Sequence, residues 1–497
     1  MASSKRKVTD SVFSTSPPRA GMLFCALAIG SMYPLEAGAQ SIANEDLLLR
    51  GITDDDGLSD AERRRLLRAA DRIADDTRRG ENEGPALDTT VIIDPAQPVQ
   101  SAGTVNPRAE PVANQINRQD DADPFAPVGI RVGTFILRPT VTQQIAHETE
   151  DDGTSHVSRT YSRTVLETEI ESNWSRHQLN IGAEQVLDKT ISGNGAEDPS
   201  TSVNADLRLD LSSLTTADLS VDYEFGREDQ TDPNAISGAV AQAEVHTFAA
   251  AASLSHLFGS WRGTATIDGG RSRYGDAELS DGTLVSLSDR DQDNYTVTLR
   301  AGLETGSAYT PFVQGSFGQI IYDNTVDASG FARNSNTYAL RTGVTADFGE
   351  KLTGEFAVGY ALRDIDDSRL EPIQAVTVNG FATWSPHRGT DVLMGVSTSL
   401  EDSTTANESG SVYYAATAEV THQLRSNVTA SLSGLLGWRD YVGSTPNQTI
   451  VGAGAGFTWW LNRYFAIDGG ATYEKTLNDG GLDNDEFFVG LGVKMQR

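Results

Sequence analysis

The clearest pattern in the chain is an alternation of apolar and polar residues. From Val203 to Leu211 every second residue is apolar, and the segment from Ala217 to Phe225 repeats the arrangement. A period of two places all the apolar side chains on one face of a β-strand. About eighteen segments of about ten to fifteen residues follow this pattern up to the C-terminus. Such strands are longer than those of soluble sheets and suit a tilted membrane crossing.

The connections between these segments also alternate. Short turns such as Gly259-Ser260 and Gly349-Glu350 are separated by longer polar loops such as 227–242 and 275–292. Transmembrane barrels have this asymmetry, with the short turns in the periplasm. We therefore predict an all-β fold, a transmembrane antiparallel up-and-down β-barrel of about 18 strands (16–18) over residues 129–497. A secreted β-sandwich or solenoid is the alternative.

Aromatic residues indicate two membrane interfaces, because amphipathic rings gather where hydrocarbon meets water. The tryptophans beside the short turns are Trp174, Trp261, Trp384, Trp459 and Trp460. The tyrosines near the long loops are Tyr161, Tyr223, Tyr274, Tyr295, Tyr322, Tyr338, Tyr360, Tyr413, Tyr414, Tyr441 and Tyr473. We expect these two sets to form two outward-facing belts.

The N-terminus predicts export. Lys5, Arg6 and Lys7 precede an apolar run over 22–30, and the small residues 37–39 follow it. This order is typical of a secretory signal peptide, so we expect residues 1–39 to be removed near Ala39 and the mature chain to reach a bacterial outer membrane.

Residues 40–128 read as a mostly disordered periplasmic extension. A capping-box order at Ser59-Asp-Ala-Glu62 and apolar residues at helical spacing predict one short helix at about 59–78. A stretch rich in Pro, Ala and Asp follows and is predicted to be a linker. The helix could bind a partner or plug a pore, and the alternative is a solvated periplasmic stub.

Composition excludes several classes of function. The net charge of −30 argues against a nucleic-acid partner, because binding phosphates requires an excess of Lys and Arg. Cys25, the single cysteine, excludes a disulfide framework. The longest apolar run, 21–33, is too short for a spanning helix. The seven histidines show no ligand spacing and Gly-x-Ser-x-Gly does not occur, so we expect no cofactor, no metal and no enzyme activity. A hydrolase site assembled across strands is a minor alternative.

If the apolar face meets lipid, the polar face lines the lumen, and its charge density indicates a wet or plugged interior. The Gly452-Ala-Gly454-Ala-Gly456 run then forms a smooth part of the inner wall. The predicted lumen-lining charges are Asp206, Arg208, Asp210, Asp218, Asp222, Glu224, Arg300, Glu304, Arg341, Asp347 and Glu355. Acidic residues outnumber basic ones in this set, which predicts a mild preference for cations.

Two segments give a family resemblance. Pro124-Phe125-Ala-Pro-Val-Gly129, which continues through Gly133 to Pro139, and the terminal segment 488–497 resemble the β-barrel porin 2 family of proteobacterial outer membranes. The resemblance covers about 124 to the end. It implies an outer-membrane barrel, and some family members are linked to the export of surface polysaccharide. The family has no established functional residues, so none is carried over.

Two functions remain open. The first is a porin-like channel for small hydrophilic solutes, or a component of surface-polysaccharide export. The second is a structural outer-membrane protein with a closed lumen, which displays acidic loops or tethers a periplasmic partner through the extension. Either function implies contact with outer-membrane lipid, lipopolysaccharide and the outer-membrane assembly machinery.

Overall fold

A computed structural model describes residues 124–497, apart from 152, 154–155, 195–196, 229–233, 235, 237–238 and 280. The predicted signal peptide, and the extension as far as residue 123 with its predicted helix at about 59–78, lie outside the described residues. No helix in the described part of the chain is long and apolar enough to cross a membrane.

The described residues form twenty-two strands and two short 3-10 turns, Ser288–Arg290 and Gly349–Lys351. The strands are β1 (Ile130–Val132), β2 (Phe135–Asp151), β3 (His156–Ser172), β4 (His177–Gly193), β5 (Ser200–Ser212), β6 (Thr215–Arg227), β7 (Ala239–Ala241), β8 (Glu244–Phe258), β9 (Trp261–Tyr274), β10 (Asp276–Leu279), β11 (Leu284–Ser286), β12 (Gln292–Leu303), β13 (Tyr309–Tyr322), β14 (Ser335–Asp347), β15 (Leu352–Ile365), β16 (Ile373–His387), β17 (Thr390–Asp402), β18 (Gly410–Arg425), β19 (Val428–Val442), β20 (Gln448–Asn462), β21 (Phe465–Asn478) and β22 (Asn484–Gln496).

Eighteen of these strands form one closed antiparallel barrel, as the alternation predicts. They are β2 to β6, β8, β9 and β12 to β22, and each pairs with the next along the chain. The last strand returns to the first, with Gln496 opposite Thr140 and Asp485 opposite Asp151. The short strands β7, β10 and β11 form a separate small sheet within two of the long loops.

The predicted turns are correct to within a few residues, and Gly259-Ser260 is the complete connection between β8 and β9. The strands extend further into the predicted long loops than expected. The loop predicted over 148–157 shrinks, for example, because β2 continues to Asp151 and β3 begins at His156. The outward residues there, such as His147 and Thr149, are polar, so the apolar signal ends before the backbone ladder does.

Most of the barrel wall is exposed and apolar outside, and buried and largely polar inside. On β2, Ile145 is 53% exposed while its neighbours Gln144 and Ala146 are each 1% exposed. The glycines of 452–456 share the inward face with Thr458, and Val451 and Phe457 point outward, as predicted. This distribution is the reverse of a soluble barrel and matches one whose outer face meets hydrocarbon.

The two aromatic belts exist but contain fewer residues than predicted. Exposed rings near the short turns are Trp174, Trp261, Trp384 and Trp459, and those toward the long loops include Tyr295, Tyr338, Tyr360, Trp438 and Tyr473. The prediction is wrong for Trp460, Tyr161, Tyr322, Tyr413 and Tyr441, which are all less than 9% exposed. These five occupy inward positions of the alternation. Closeness to a strand end does not reveal which face of the strand a ring occupies.

The segment before the barrel is part of the wall at the short-turn end. Because β22 stops opposite Thr140, the edge of β2 below that point has no partner in β22, and β1 pairs with Phe135–Leu137 there. Gly129 and Gly133 have positive φ angles of 70° and 65°, which L side chains rarely adopt. The side chain of Gln496 donates a hydrogen bond to the Phe125 carbonyl at 2.6 Å. The segment thus joins the start of the barrel to its end.

One junction in the wall is only half paired. β16 and β17 form a ladder between His387↔Thr390 and Gly380↔Val396, and no pairing between them continues above Gly380. The side chain of Thr398 replaces the ladder locally: the Val378 N–H donates to its hydroxyl at 2.9 Å, and that hydroxyl lies 3.1 Å from the Val378 carbonyl.

Above this point the end of the β17–β18 hairpin folds into the barrel. We call residues 397–413 the β17–β18 tip. Its strand residues 397–401 and 410–413 are buried on both faces, whereas burial alternates along most of the wall. Leu400 and Val412 pack in a cluster with Ile373, Ala375 and other residues of the inner face of β14–β16. The tip therefore lies inside its neighbours and overlaps them.

Candidate lumen of the barrel

Nine of the eleven predicted lumen residues lie in strands at inward positions: Asp206, Arg208, Asp210, Asp218, Asp222, Glu224, Arg300, Arg341 and Glu355. The other two lie at the short-turn rim. Glu304 follows the end of β12 and forms an ion pair with Arg262. Asp347 ends β14, is exposed, and accepts a hydrogen bond from the Gly349 N–H at 2.8 Å.

An acidic wall occupies β5 and β6. Asp206, Asp222 and Glu224 are each less than 10% exposed on its inner face. The basic member of this group, Arg208, lies opposite Asp218 in the ladder and forms an ion pair with Asp210 at 3.1 Å. Five carboxylates with one guanidinium therefore give this part of the interior a negative potential.

Further along the wall, Arg300 on β12 and Glu355 on β15 form a bridge over two intervening strands. The Arg300 Nη1 donates to Glu355 Oε1 at 3.0 Å and Nη2 donates to Oε2 at 2.5 Å. The Thr345 hydroxyl also donates to this carboxylate, at 2.9 Å. The guanidinium lies 3.5 Å from the ring centre of Phe312. A bidentate, partly buried pair of this kind fixes both side chains against the wall.

Arg341 lies beside this bridge, opposite Gln314 on β13 and Gly359 on β15. It is 3% exposed, and a Cβ atom at position 359 would lie 2.6 Å from the Arg341 Cβ. Glycine at 359 thus gives the arginine the room to lie along the wall.

A second charged group, absent from the predicted lumen residues, lies at the long-loop ends of β2–β4. Arg159 donates to Glu148 at 3.1 Å, and Arg163 forms an ion pair with Asp188 at 2.9 Å. Tyr161 lies between the two arginines, with the Arg159 guanidinium 4.3 Å from its ring centre. The signal was present, because Arg159, Tyr161 and Arg163 occupy the inward positions of one alternating segment.

A third group joins β17, β18 and β19 at the same end. Arg439 donates to the Glu401 carboxylate at 2.8 and 3.2 Å and to the Gln448 side chain at 2.9 Å. The Ser411 hydroxyl donates to Glu401 at 2.5 Å. These groups, with the tip, fill the long-loop half of the lumen, where Arg163 and Arg363 are at most 1% exposed.

The sequence profile of the family described as “Putative beta-barrel porin 2” matches residues 123–497. The chain belongs to this family. This match includes the β1 segment and all eighteen wall strands of the porin-like barrel. A search of curated proteins finds no match.

Among solved structures, this β-barrel porin 2 member is similar to OpdQ of Pseudomonas aeruginosa, with 11% identity, a TM-score of 0.37 and coverage of 72% of this chain and 99% of that chain. It is also similar to OccK8 (OprE) of P. aeruginosa, with 9% identity, a TM-score of 0.37 and coverage of 73% of this chain and 98% of that chain. The structure titled “Copper transporter OprC” is similar with 9% identity, a TM-score of 0.40 and coverage of 74% of this chain and 81% of that chain.

At the long-loop end of this porin 2 barrel, one loop carboxyl has a raised pKa. Asp198, between β4 and β5, lies 3.5 Å from the Arg159 guanidinium. Burial raises the pKa of Asp198 to about 6, with smaller contributions from Glu148 and Asp188, against the attraction of Arg159. Within the described residues, no group of three or more His, Cys, Asp or Glu side chains is arranged to hold a metal ion.

Proposed function

We propose that this protein is an outer-membrane channel for small hydrophilic solutes, with a mild preference for cations and with its short turns in the periplasm. One observation carries the proposal: the wall is apolar outside and polar and charged inside. A closed sheet with this polarity separates lipid from a water-compatible interior, and eighteen strands enclose an interior wide enough for an aqueous path.

The distribution of charge supports the preference for cations. In addition to the acidic wall of β5 and β6, Asp268 on β9 is buried at an inward position. A second group of buried carboxylates on β18–β22 consists of Glu419, Asp468, Glu474 and Glu486, and Lys494 lies among them. Fixed negative charge along a confined path raises the local concentration of cations and lowers that of anions.

Conductance of the purified full-length protein in a planar lipid bilayer tests the channel, and its reversal potential in a KCl gradient tests the selectivity. We expect discrete conductance steps with K⁺ more permeable than Cl⁻. The Asp206→Asn/Asp222→Asn variant should shift the reversal potential toward zero, because it removes two inward charges while keeping side-chain shape.

Asp364→Asn is the matched control, since Asp364 is an exposed outward residue of β15. It should leave the reversal potential unchanged. Protein that inserts into the bilayer but gives no steps under any condition contradicts the channel, and an equal shift in the control contradicts the assignment of selectivity to the inner wall.

The second candidate, a structural barrel with a closed lumen, is favoured by the filled long-loop half. It predicts no conductance under any condition and a cellular phenotype that depends on the extension. Deleting residues 40–123, which leaves the Phe125 segment in the wall, separates the two functions. The channel retains its conductance after the deletion, whereas the tether loses its phenotype.

Other proposals concern partners. We propose that the outer wall contacts outer-membrane lipid and lipopolysaccharide and that the assembly machinery inserts the barrel. We also propose that the extension can bind a periplasmic partner. The last proposal is that the protein works without catalysis. A role in surface-polysaccharide export stays a prediction from the family resemblance. Phospholipase and protease assays on the purified protein test the absence of catalysis.

A further inference from the structure

The sequence pattern of the β17–β18 tip predicts that its apolar residues face lipid, but the structure places the tip inside the barrel. On β17, Met394 is outward and 38% exposed, and Leu400 has the same parity; on β18, Val412 has the parity of the exposed outward Ala416. Leu400 and Val412 are nevertheless only 4% exposed, against the inner face of β14–β16. The sequence thus encodes a regular, lipid-facing wall strand where the structure shows an inner layer.

The unpaired edge of β16 fits the tip as a ladder partner. The register of the existing ladder, with Gly380 opposite Val396, would place Thr377 opposite Ser399 if it continued. Val376 and Leu400 would then lie side by side on the outer face, where Val376 is already 61% exposed. Moving the tip from the inner layer into the wall would not change which face of its strand each residue occupies. The same sequence is therefore compatible with both arrangements.

A small number of polar contacts hold the tip inside. Arg363 on β15 forms an ion pair with Asp402. Arg333, between β13 and β14, donates to the carbonyls of Glu408 at 2.6 Å and Thr405 at 2.8 Å. The Tyr414 hydroxyl donates to the Val376 carbonyl at 3.2 Å, across the place where β17 would otherwise pair. The backbone of the β16 edge in this stretch thus has side-chain partners where most of the wall has a ladder.

We propose that the β17–β18 tip is the gate of the lumen: it occupies the long-loop half when folded inward, and opens the path when it pairs with the upper edge of β16. The two arrangements exchange one set of contacts for another. Inward, the tip gains the apolar cluster and the arginine contacts; in the wall, it gains a backbone ladder and places Leu400 and Val412 toward lipid. This inference rests on the proposed channel function.

A reversible cross-link tests the gate. In a Cys25→Ser background, Thr377→Cys/Ser399→Cys introduces two cysteines that the wall-paired arrangement would place opposite each other, at the spacing of ladder partners, which a disulfide can span. We expect oxidation to form the cross-link, seen by mass spectrometry under non-reducing conditions, and to raise the open probability in a planar bilayer to nearly one. Reduction should restore the parent value.

The control is Ala382→Cys/Met394→Cys, a pair that is already opposite in the ladder below the unpaired stretch. It should cross-link without any change in conductance. A second variant, Asp402→Asn, removes the charge that pairs with Arg363 and should raise the open probability without a disulfide.

The outcomes separate the gate from the channel. If the parent conducts and the 377/399 cross-link forms without changing conductance, or does not form while the control cross-link does, the gate is wrong and the channel function stands. If neither the parent nor the fully cross-linked variant conducts, the channel function fails. A raised open probability in both the cross-linked protein and Asp402→Asn supports both proposals.

Discussion

Two junctions between neighbouring strands show what determines whether a β-ladder is continuous along the barrel wall. The chain-end junction, β2 with β22, is paired without interruption from Thr140↔Gln496 to Asp151↔Asp485. The β16–β17 junction ends its ladder at Gly380↔Val396. Both are antiparallel, and both have apolar residues outside. They differ in the side chains that lie inside.

At the chain-end junction, glycines make room for a neighbour. The Gln144 side chain lies over Gly490 and Gly492 of β22, where a Cβ atom at position 492 would overlap its Cγ. At the β16–β17 junction, the Asn379 and Thr398 side chains bond to the backbone across the gap: the Thr398 N–H donates to Asn379 Oδ1 at 3.0 Å. A ladder thus persists where inner side chains leave the backbone free and stops where they bind it.

The largest effect is expected at the chain-end junction. Gly492→Val places a branched side chain where the Gln144 stem and the Gln143 carbonyl now lie. We expect a loss of about 3 kcal/mol in the free energy of unfolding, through overpacking and separation of β22 from β2. Urea unfolding in detergent micelles measures it.

Gly302→Val is the matched control, because Gly302 is an inward residue of β12 and the nearest atom to a Cβ at position 302 is 3.7 Å away, at the Thr310 Cγ2. Equal destabilisation by the two variants would show that the cost is general to glycines of the inner wall, and that the fit of Gln144 does not hold this junction together.

A smaller effect is expected from Thr398→Val, which keeps the shape of the side chain and removes the hydroxyl that bonds Val378. The loss of bonds to a buried backbone group should cost about 1 to 2 kcal/mol and speed hydrogen exchange at the Val378 amide. Thr298→Val is the control. Its hydroxyl is buried on the fully paired strand β12 and has no hydrogen-bond partner within the described residues. Thr298→Val should therefore leave hydrogen exchange at the Val378 amide unchanged. Unchanged exchange in Thr398→Val would show that the hydroxyl does not substitute for the ladder.

The smallest effect concerns pH at the long-loop end beside the chain-end junction. Since the pKa of Asp198 is raised to about 6 in the folded protein, this carboxyl favours folding at pH values below its ordinary pKa of 3.8. That contribution is lost as the pH rises to about 6. The side chain is 29% exposed, so we expect less than about 1 kcal/mol between pH 4 and pH 7.

The urea midpoint of the parent should fall across this interval, and the Asp198→Asn variant should show a smaller fall. Asp281→Asn is an informative control because the pKa of Asp281 is lowered by its hydrogen bonds to Thr283. Its carboxyl stabilises the folded state above its ordinary pKa of 3.8 and loses that contribution only at lower pH, so Asp281→Asn should leave the fall between pH 4 and pH 7 nearly unchanged. Parallel pH profiles for the parent and Asp198→Asn would exclude a contribution from this carboxyl.

The sequence predicts much of the fold because a membrane barrel repeats one rule in every strand. The parity of Asp206 and Asp222 is enough to place them inside, and Gly259-Ser260 is enough to place a turn. Parity says which face a residue occupies but not what lies opposite it. For this reason closeness to a strand end wrongly predicts a belt position for the inward tyrosines, and parity alone wrongly predicts that Leu400 faces lipid.

The charged groups of the long-loop half are absent from the predicted lumen residues for a related reason. Arg159 and Glu148 lie in segments that the apolar pattern treats as loop or as weak strand, since the outward residues beside them are polar. Their pairing is a matter of neighbouring strands and register, which is fixed only when the whole barrel closes.

The hydrogen bond from Gln496 to Phe125 joins residues 371 positions apart in the chain. It can form only after the final strand has been synthesised and delivered to the first. The β1–β2 hairpin, in contrast, is local and can form as soon as residues 130–137 emerge, which gives part of the first strand a partner while the rest of the wall is still being added. Docking of Gln496 against the Phe125 segment is therefore a late assembly event, and protection of that segment from proteolysis would time the completion of the barrel.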